Sequence, residues 1–215
     1  MFRLICLCLG YALGCFQFAY ILGRAFYKID IREHGSGNAG ATNAVRTMGA
    51  RAGLAVFFLD LLKGAAGFLL ASFIFKSGSA VTADISGLGL LPGLYAAAGV
   101  VLGHCFPFYM GFRGGKGIAA CAGVIMFTDW RVALTAYALT LLVIAVTRYV
   151  SAGSLCLTLA VPALMIIWGY PAECTAVALV ITAVAWFRHR GNISRLLKGE
   201  ERKFNFRKDK RDKNG

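Results

Sequence analysis

Residues 4–23 read LICLCLGYALGCFQFAYILG, twenty consecutive residues without a charged side chain. At a helical rise of about 1.5 Å per residue, such a stretch matches the thickness of the hydrocarbon core of a bilayer. Further apolar stretches follow near residues 52–75, 86–110, 117–128, 132–147, 152–170 and 172–187. The 215-residue chain is 58% hydrophobic and only 15% charged, whereas a soluble domain has roughly 25% charged residues. The sequence therefore predicts an all-α polytopic membrane protein.

The number of crossings depends on two of these stretches. Residues 117–128 are short for a transmembrane helix, and residues 52–75 carry Asp60 and Lys63 within an otherwise apolar run. Seven transmembrane helices are the preferred interpretation, with six or five as alternatives. Because charges inside a bilayer are costly and are usually paired, Asp60 and Lys63 are predicted to form an internal ion pair that supports a functional site.

Lysine and arginine residues are distributed unevenly between the two sides. With seven crossings, nineteen of the 23 lie on one side, in segments 24–51, 103–116, 148–151 and 188–215. The other side has Arg3, Lys76 and Arg131. Because basic residues accumulate in the cytoplasm, the N-terminus is predicted outside and the C-terminus inside. The chain then divides into one integral-membrane domain, residues 1–203, and a basic, disordered cytoplasmic tail, residues 204–215.

The net charge of +13 is explained by this topology and by attraction to anionic membrane lipids. It gives no reason to predict a nucleic-acid partner. Seven cysteines lie in or beside the apolar stretches without the spacing of metal ligands, so no metal site is predicted.

The first cytoplasmic segment contains GSGNAGATNAVRTMG at residues 35–49. Its opening has the glycine spacing of a dinucleotide-binding loop, but a membrane helix precedes it where that motif requires a strand. The segment's glycines would let backbone N–H groups converge on an anion; they are Gly35, Gly37 and Gly40. Thr42 is predicted to cap a short helix over 43–48, ending at Gly49, with Arg46 on the same helix face as Thr42. A flexible glycine turn is the alternative.

The second segment, GHCFPFYMGFRGGKG at residues 103–117, places Lys116 among glycines where membrane meets water. It lacks the glycine and hydroxyl positions of a Walker A loop. The enclosing residues, which favour close approach of a ligand, are Gly114, Gly115 and Gly117. A simple cytoplasmic anchor is the alternative. A structural role for His104 is at least as well supported as a catalytic one.

The third segment, RHRGNISRLLKGEERK at residues 188–203, follows the last apolar stretch. His189, Asn192 and Arg195 recur at three-residue steps, which predicts one helical face. His189 and Asn192 are interpreted as functional, and Arg188 as ordinary interfacial polarity. Ser151, on the same side of the membrane, either contributes a hydroxyl to the site or caps a helix.

Together the three segments resemble the acyl-phosphate-dependent glycerol-3-phosphate acyltransferase family, known as PlsY. The matching stretches are GSGNAGATNAVR, GHCFPFYMGFRGGKG and HRGNISRLLKGEE, in the family's order. The resemblance implies acyl transfer from acyl phosphate to the 1-hydroxyl of sn-glycerol 3-phosphate, giving lysophosphatidic acid and phosphate. It implies the first step of bacterial phospholipid synthesis, at the cytoplasmic edge of the inner membrane, without a cofactor or a metal. We expect a monomer.

Residue by residue, the resemblance carries catalytic roles to five positions, namely Ser36, Arg46, Lys116, His189 and Asn192. It carries substrate or phosphate binding to a second set, namely Gly35, Gly37, Asn38, Gly40, Thr42, Asn43, Gly114, Gly115, Gly117 and Ser151. Asp60 and Lys63, from the ion-pair argument, are predicted to support the site, and Glu201 matches a structural position of the family.

Two questions stay open at the level of sequence. An acyl phosphate is already activated, so the proton of the attacking hydroxyl can pass to the donor's own phosphate or to His189, whose type of side chain suits proton transfer near neutral pH. A membrane transporter of a phosphorylated anion is the alternative function. Its polar residues should reach the bilayer midplane, whereas those of this chain cluster at one membrane edge.

Overall fold

The computed structural model describes residues 1–75 and 89–203. Within these ranges the chain is helical throughout, with short connections. The helices are α1 (Phe2–Gly14), α2 (Phe18–Leu22), α3 (Ala41–Met48), α4 (Ala50–Ile74), α5 (Leu90–Cys105), α6 (Ile118–Thr128), α7 (Trp130–Thr147), α8 (Val150–Ile167), α9 (Ala172–Arg188) and α10 (Arg190–Leu197). Lys76 and the predicted tail, residues 204–215, lie outside the described residues.

Each predicted apolar stretch contains at least one helix within its described residues, but not every helix is long enough to cross a membrane. Within the described ranges, five segments are long and apolar enough to span a membrane: Phe2–Tyr27, Ala50–Ile74, Leu90–Met110, Trp130–Thr147 and Val150–Ile167. A sixth is added if α9 and α10, bent by 64° at their junction, count as one. With 11 residues, α6 is about 16 Å long, so the count of seven stays a prediction.

Glycines bring α1 and α5 into close contact. Gly10 and Gly14 are four residues apart on α1, as are Gly99 and Gly103 on α5. A Cβ at Gly10 would lie 2.0 Å from the carbonyl oxygen of Ala96, and the other three glycines face the partner backbone equally closely. Small residues let helices pack where the hydrophobic effect offers no drive for association.

The first crossing is broken between α1 and α2, and buried polar groups bind the freed backbone carbonyls. Gln17 Nε2 donates to the carbonyl oxygens of Gly14 and His104, at 3.2 and 3.0 Å. Lys63 Nζ donates to the carbonyl oxygens of Gly14 and Phe16, at 3.3 and 2.6 Å. Unsatisfied carbonyls are costly at membrane depth, so these two side chains stabilise a bend that an uninterrupted helix would not need.

Two opposite ends of the bundle differ in their polar groups. At one end, Glu173 at the start of α9 accepts hydrogen bonds from Arg3 and Tyr95, while Asp129 binds Arg131 and accepts a hydrogen bond from Tyr170. At the other end lie α3, α10 and the connections that contain the three polar segments.

Candidate active site

One open cavity of about 1260 Å³ brings the three polar segments together. All five predicted catalytic residues line it: Ser36, Arg46, Lys116, His189 and Asn192. Most of the predicted binding residues do so as well, namely Gly37, Asn38, Gly40, Thr42, Asn43, Gly114, Gly117 and Ser151. Gly35 and Gly115 do not line the cavity. These segments are far apart in sequence, so their convergence is a property of the fold.

Two of the three glycine N–H groups predicted to face an anion, those of Gly37 and Gly40, are bonded within the first loop. Ser36 N donates to Asn43 Oδ1 at 2.8 Å, and the Gly37 N–H donates to the carbonyl oxygen of His34. Gly35 has a left-handed backbone (φ 64°), and a Cβ there would lie 2.3 Å from Asn43 Oδ1. The glycines therefore shape a compact turn, and what they present to the cavity is mainly side chains.

Asn43 is predicted to bind substrate, and in the structure its amide group is bonded within its own loop. The residue is buried, and its Nδ2 donates to the carbonyl oxygens of Ile31 and His34, at 3.1 and 2.9 Å. Its Oδ1 accepts from Ser36 N. With the amide group engaged at both ends, Asn43 holds the loop together.

The predicted helix over 43–48 begins earlier than expected. It spans Ala41–Met48, with Gly40 as its N-cap and no side-chain capping bond, so the prediction that Thr42 caps it is wrong. The predicted stop at Gly49 is correct, with φ at 88°. Thr42 and Arg46 lie one turn apart and both reach the cavity. The Arg46 guanidinium makes no hydrogen bond to any described residue, which leaves it open to an anionic ligand.

The glycines around Lys116 also serve packing. Gly114 N donates to the carbonyl oxygen of Cys105, and Gly115 N donates to that of His104. A Cβ on Gly114 would lie 2.0 Å from the His104 carbonyl oxygen. Both backbone N–H groups are therefore bonded within the protein, and a substrate-binding role of these two glycines stays a prediction.

Arg188 was interpreted as interfacial polarity, and the structure corrects this. Its Nε donates to the carbonyl oxygen of Gly115 at 3.0 Å, and its Nη2 to that of Gly114 at 2.8 Å. The guanidinium carbon also lies 5.3 Å from the centroid of the Phe106 ring, which is a cation–π contact. Arg188 thus clamps the loop that carries Lys116. The spacing of residues in the sequence does not distinguish Arg188 from its neighbour Arg190.

Lys116 is connected to the last helix by a chain of hydrogen bonds. Lys116 Nζ donates to Asn192 Oδ1, and Asn192 Nδ2 donates to Glu201 Oε1 at 2.6 Å. Glu201 also accepts from Ser151 Oγ at 2.9 Å and from Arg195 Nε at 2.7 Å. Ser151 therefore donates to Glu201, and it is not the N-cap of α8. Glu201 fixes the orientation of the Asn192 amide, so that its oxygen faces Lys116.

Burial and charge change the ionisation of this network. Burial, together with Arg195, Arg188 and Arg46, lowers the pKa of Lys116 to about 8, although Glu201 opposes the shift. For Glu201, burial raises the pKa, but the hydrogen bonds from Asn192, Ser151 and Arg195 outweigh it and the net shift is downward. At neutral pH the network therefore holds an ammonium and a carboxylate.

His189 lies at the junction of α9 and α10 and is buried. Its Nδ1 lies 2.7 Å from the carbonyl oxygen of Ala185. A carbonyl oxygen only accepts, so Nδ1 carries the proton and Nε2 keeps a free lone pair. Burial and the nearby Lys116 lower the pKa of His189 to about 4. The imidazole is therefore neutral at pH 7 and is a weak base.

The predicted Asp60–Lys63 ion pair is present beneath the cavity. Lys63 Nζ lies 2.8 Å from Asp60 Oδ1, and both side chains are buried. His104 joins them, with its Nδ1 at 2.8 Å from Lys63 Nζ. Within residues 1–75 and 89–203, no three His, Cys, Asp or Glu side chains are grouped so that they could hold a metal ion.

The cavity has an apolar wall beside its cationic groups. This wall is formed by α3, α4 and α6, through Val45, Leu54, Phe57, Ile118 and Ala119. Leu54 and Phe57 are also exposed on the outer surface of the bundle. A ligand with an anionic head and a hydrocarbon chain would meet both kinds of surface here.

Comparisons with known proteins agree with the earlier resemblance. A sequence model of the family described as glycerol-3-phosphate acyltransferase matches residues 4–199. The chain is 38% identical to a glycerol-3-phosphate acyltransferase of Thermoanaerobacter pseudethanolicus, over 94% of this chain and 96% of the relative. It is 42% identical to one of Rhodospirillum rubrum, over 95% and 92% of the two chains.

Two solved structures are similar across nearly the whole chain. Both are crystal structures of PlsY (YgiH), an integral membrane glycerol 3-phosphate acyltransferase. The glycerol 3-phosphate form has a TM-score of 0.83 and 35% identity, covering 94% of this chain and 96% of the other. The lysophosphatidic acid form has a TM-score of 0.80 and 34% identity, covering 94% and 95%.

Proposed function

The chain belongs to the glycerol-3-phosphate acyltransferase family and is an enzyme of that class, and on this premise we propose that its acyl donor is an acyl phosphate. The 1-hydroxyl of glycerol 3-phosphate attacks the acyl carbon of the donor. The carbon–oxygen bond to the donor's phosphate breaks, and the products are lysophosphatidic acid and inorganic phosphate. The reaction is the first acylation of phospholipid synthesis.

The observation that carries this proposal is the pairing of two cations with an apolar wall in one cavity. Arg46 and Lys116 line the cavity from different elements, and each compensates the charge of one phosphate so that the two substrates can approach. The guanidinium of Arg46 can grip two oxygens of one phosphate. The wall that includes Leu54 and Phe57 suits the hydrocarbon chain of the donor.

The remaining predicted catalytic residues orient the two substrates. Ser36 and Asn192 supply a hydroxyl and an amide at the cavity surface. Thr42 and Ser151 line the same cavity and add hydroxyls. An acyl phosphate is a mixed anhydride, so the transfer needs no nucleophile from the enzyme.

The donor's own phosphate takes the proton of the attacking hydroxyl. General-base catalysis is most efficient when the pKa of the base lies near the working pH. The pKa of His189 is lowered to about 4, so its imidazole is a weak proton acceptor at neutral pH, whereas the departing phosphate becomes more basic as its bond to the acyl carbon breaks. His189 therefore accepts a hydrogen bond at Nε2 and orients the hydroxyl, while the departing phosphate leaves with the proton.

The protein is integral to the membrane, and we place the cavity on the cytoplasmic side of the inner membrane. The excess of basic residues in the three polar segments supports this orientation. So does the course of α6 and α7: Gly117 before α6 and Ser151 after α7 both line the cavity. The chain therefore lies on the same side of the membrane before α6 and after α7. The sides assigned by the seven-crossing topology stay the same even though α6 is short.

The test is a purified, lipid-reconstituted enzyme supplied with glycerol 3-phosphate and either palmitoyl phosphate or palmitoyl-CoA. We expect lysophosphatidic acid and stoichiometric phosphate with the first donor and little product with the second. A chelator should leave the rate unchanged. Equal rates with palmitoyl-CoA, or complete loss of activity on chelation, would contradict the proposal.

A further inference from the structure

We propose that His104 is a further substrate-binding residue, which donates a hydrogen bond from Nε2 to a phosphate oxygen in the cavity, and that Lys63 fixes the tautomer this requires. The proposal rests on the function proposed above, since it assigns one more contact to the same two phosphorylated substrates. It concerns a buried group that the reaction as described so far does not use.

The first step is the environment of Lys63. Its Nζ is surrounded by groups that accept hydrogen bonds, namely the carbonyl oxygens of Gly14 and Phe16 and the carboxylate of Asp60. An ammonium has only donors to offer. Asp60 Oδ1 accepts no hydrogen bond from any described residue, so its contact with Lys63 is an ion pair without hydrogen-bond geometry. The carboxylate of Asp60, with Oδ1 2.8 Å from Nζ, is the charge partner of this ammonium.

The second step is the tautomer of His104. Its Nδ1 lies 2.8 Å from Lys63 Nζ. Because Lys63 donates, Nδ1 accepts, and the proton of the neutral ring is then on Nε2. Nδ1 is also 3.6 Å from Asp60 Oδ1, too far for a hydrogen bond that would favour the other tautomer.

The third step is the direction of Nε2. His104 is only 3% exposed, yet it lines the cavity. An added Cβ on Gly115 would lie 2.1 Å from His104 Nε2 and 2.9 Å from the carbonyl oxygen of Ala39. Nε2 is thus at the place where the first and second glycine loops meet. It has no hydrogen-bond partner in the part of the chain that the structure describes, and because His104 lines the cavity, this N–H is available to a ligand.

The two buried histidines therefore face one cavity with opposite tautomers. His189 keeps its proton on Nδ1, bonded to Ala185, and presents a lone pair. His104 accepts at Nδ1 from Lys63 and presents an N–H. A donor suits the oxygens of a phosphate, and a lone pair suits the proton of a hydroxyl. His104 is therefore suited to bind the phosphate, and His189 is suited to bind the hydroxyl.

Two substitutions separate this role from mere support of the fold. His104→Asn keeps an acceptor near the position of Nδ1, for Lys63, and removes the donor at Nε2. His104→Gln keeps an amide donor near the position of Nε2 and loses the acceptor for Lys63. We expect His104→Asn to lower kcat/KM at least tenfold and His104→Gln to recover a substantial part. The substrate whose KM rises identifies which phosphate is bound.

The reverse order, with His104→Asn close to wild type and His104→Gln impaired, would overturn the proposal and leave a supporting role. Assay of the wild-type enzyme beside the variants distinguishes failure of the proposed function from failure of the role of His104. If it transfers no acyl group from palmitoyl phosphate, the proposed function fails. If it is active and His104→Asn is equally active, only the role of His104 fails.

A measurement on the unmodified protein does not depend on the folding of any variant. The chain has three histidines, so nitrogen NMR of selectively labelled protein can resolve their rings. We expect a protonated Nε2 for His104 and a protonated Nδ1 for His189. Addition of glycerol 3-phosphate, or of inorganic phosphate, should shift the His104 Nε2 resonance. A protonated Nδ1 at His104, or no shift with either ligand, would overturn the proposal.

Discussion

Lys116 donates its ammonium hydrogen to the amide oxygen of Asn192, 76 residues later in the chain. A second hydrogen bond, from Asn192 Nδ2 to Glu201, fixes the orientation of that amide. The contact joins the second glycine loop to the end of the last helix. Lys116, which we propose binds a substrate phosphate, is therefore held by residues much later in the sequence.

Removal of Glu201 should disorder this contact. Glu201→Ala leaves the Asn192 amide free to turn its NH₂ group toward Lys116, and we expect kcat/KM to fall about tenfold or more, since a hydrogen bond to a charged group contributes roughly 1.5–3 kcal/mol. Glu201→Gln keeps an acceptor oxygen and should retain most of the activity. Glu200→Ala, at the exposed neighbouring position, is the matched control. Equal activity of all three variants would refute the role of Glu201.

Substitution of Arg46 tests whether the guanidinium grips a phosphate. Arg46→Lys keeps the charge but loses the planar fork, and we expect kcat/KM to fall about ten- to a hundredfold. Arg46→Ala and Lys116→Ala should fall further and still purify as folded protein. Arg51→Ala, exposed on the same segment, is the control. Near-normal turnover by the folded alanine variants would mean that neither residue binds phosphate.

The ionisation of Lys116 predicts a falling alkaline limb in the pH profile. Its pKa is lowered to about 8 by burial and by neighbouring arginines, so the charged form predominates below pH 8 and is lost as the pH rises. Glycerol 3-phosphate stays dianionic over this range. We expect kcat/KM to decrease with the loss of one proton above about pH 8. Lys116→Arg should be flat there, because a guanidinium keeps its charge. A wild-type profile without this decrease would contradict the assignment.

Arg188 should act on the enzyme through the Lys116 loop. Arg188→Lys can hold only one of the two carbonyl groups that the guanidinium binds, and we expect the KM for a phosphorylated substrate to rise about tenfold. The alkaline limb assigned to Lys116 should stay near its wild-type position, since lysine keeps the positive charge at residue 188 that lowers the pKa of Lys116. Arg190→Ala is the control, as Arg190 is exposed and binds only the nearby Phe187 carbonyl. Identical behaviour of the two variants would show that the clamp is unimportant.

The orientation can be tested by labelling single cysteines in a cysteine-free variant. Arg113→Cys and Ser194→Cys are exposed positions on the cavity side, and Ala172→Cys is exposed at the opposite end. In intact cells we expect an impermeant thiol reagent to label residue 172 only. After permeabilisation all three should react. Labelling of the first two from outside would reverse the proposed topology.

Much of the architecture was predictable because it follows from local composition. Uncharged stretches the length of a bilayer have to become helices, since no other isolated segment satisfies its backbone groups in lipid. The stretch at residues 4–23 illustrates this, and so does its limit. The break at residues 15–17 depends on Gln17 and on Lys63 from another helix, which no pattern within the stretch reveals.

The site was predictable in its membership and not in its contacts. The three polar segments contribute most of the polar residues that line the cavity, because glycines, amides and cations beside membrane helices are a specific combination. The roles within the site depend on which group comes close to which. Asn43 looked like a ligand and binds its own loop, whereas Arg188 looked like a surface charge and clamps the loop of Lys116.

The amino-acid sequence by itself determined the membrane-spanning helical class, the end of α3 at Gly49, and the three polar segments whose residues line the cavity. Only the tertiary structure decided how their hydrogen bonds are paired. The sequence offers each polar side chain several chemically suitable hydrogen-bond partners. Packing brings only some of them within hydrogen-bond distance. The opposite tautomers of His104 and His189 follow from such a selection, because Lys63 reaches one ring and the Ala185 carbonyl reaches the other.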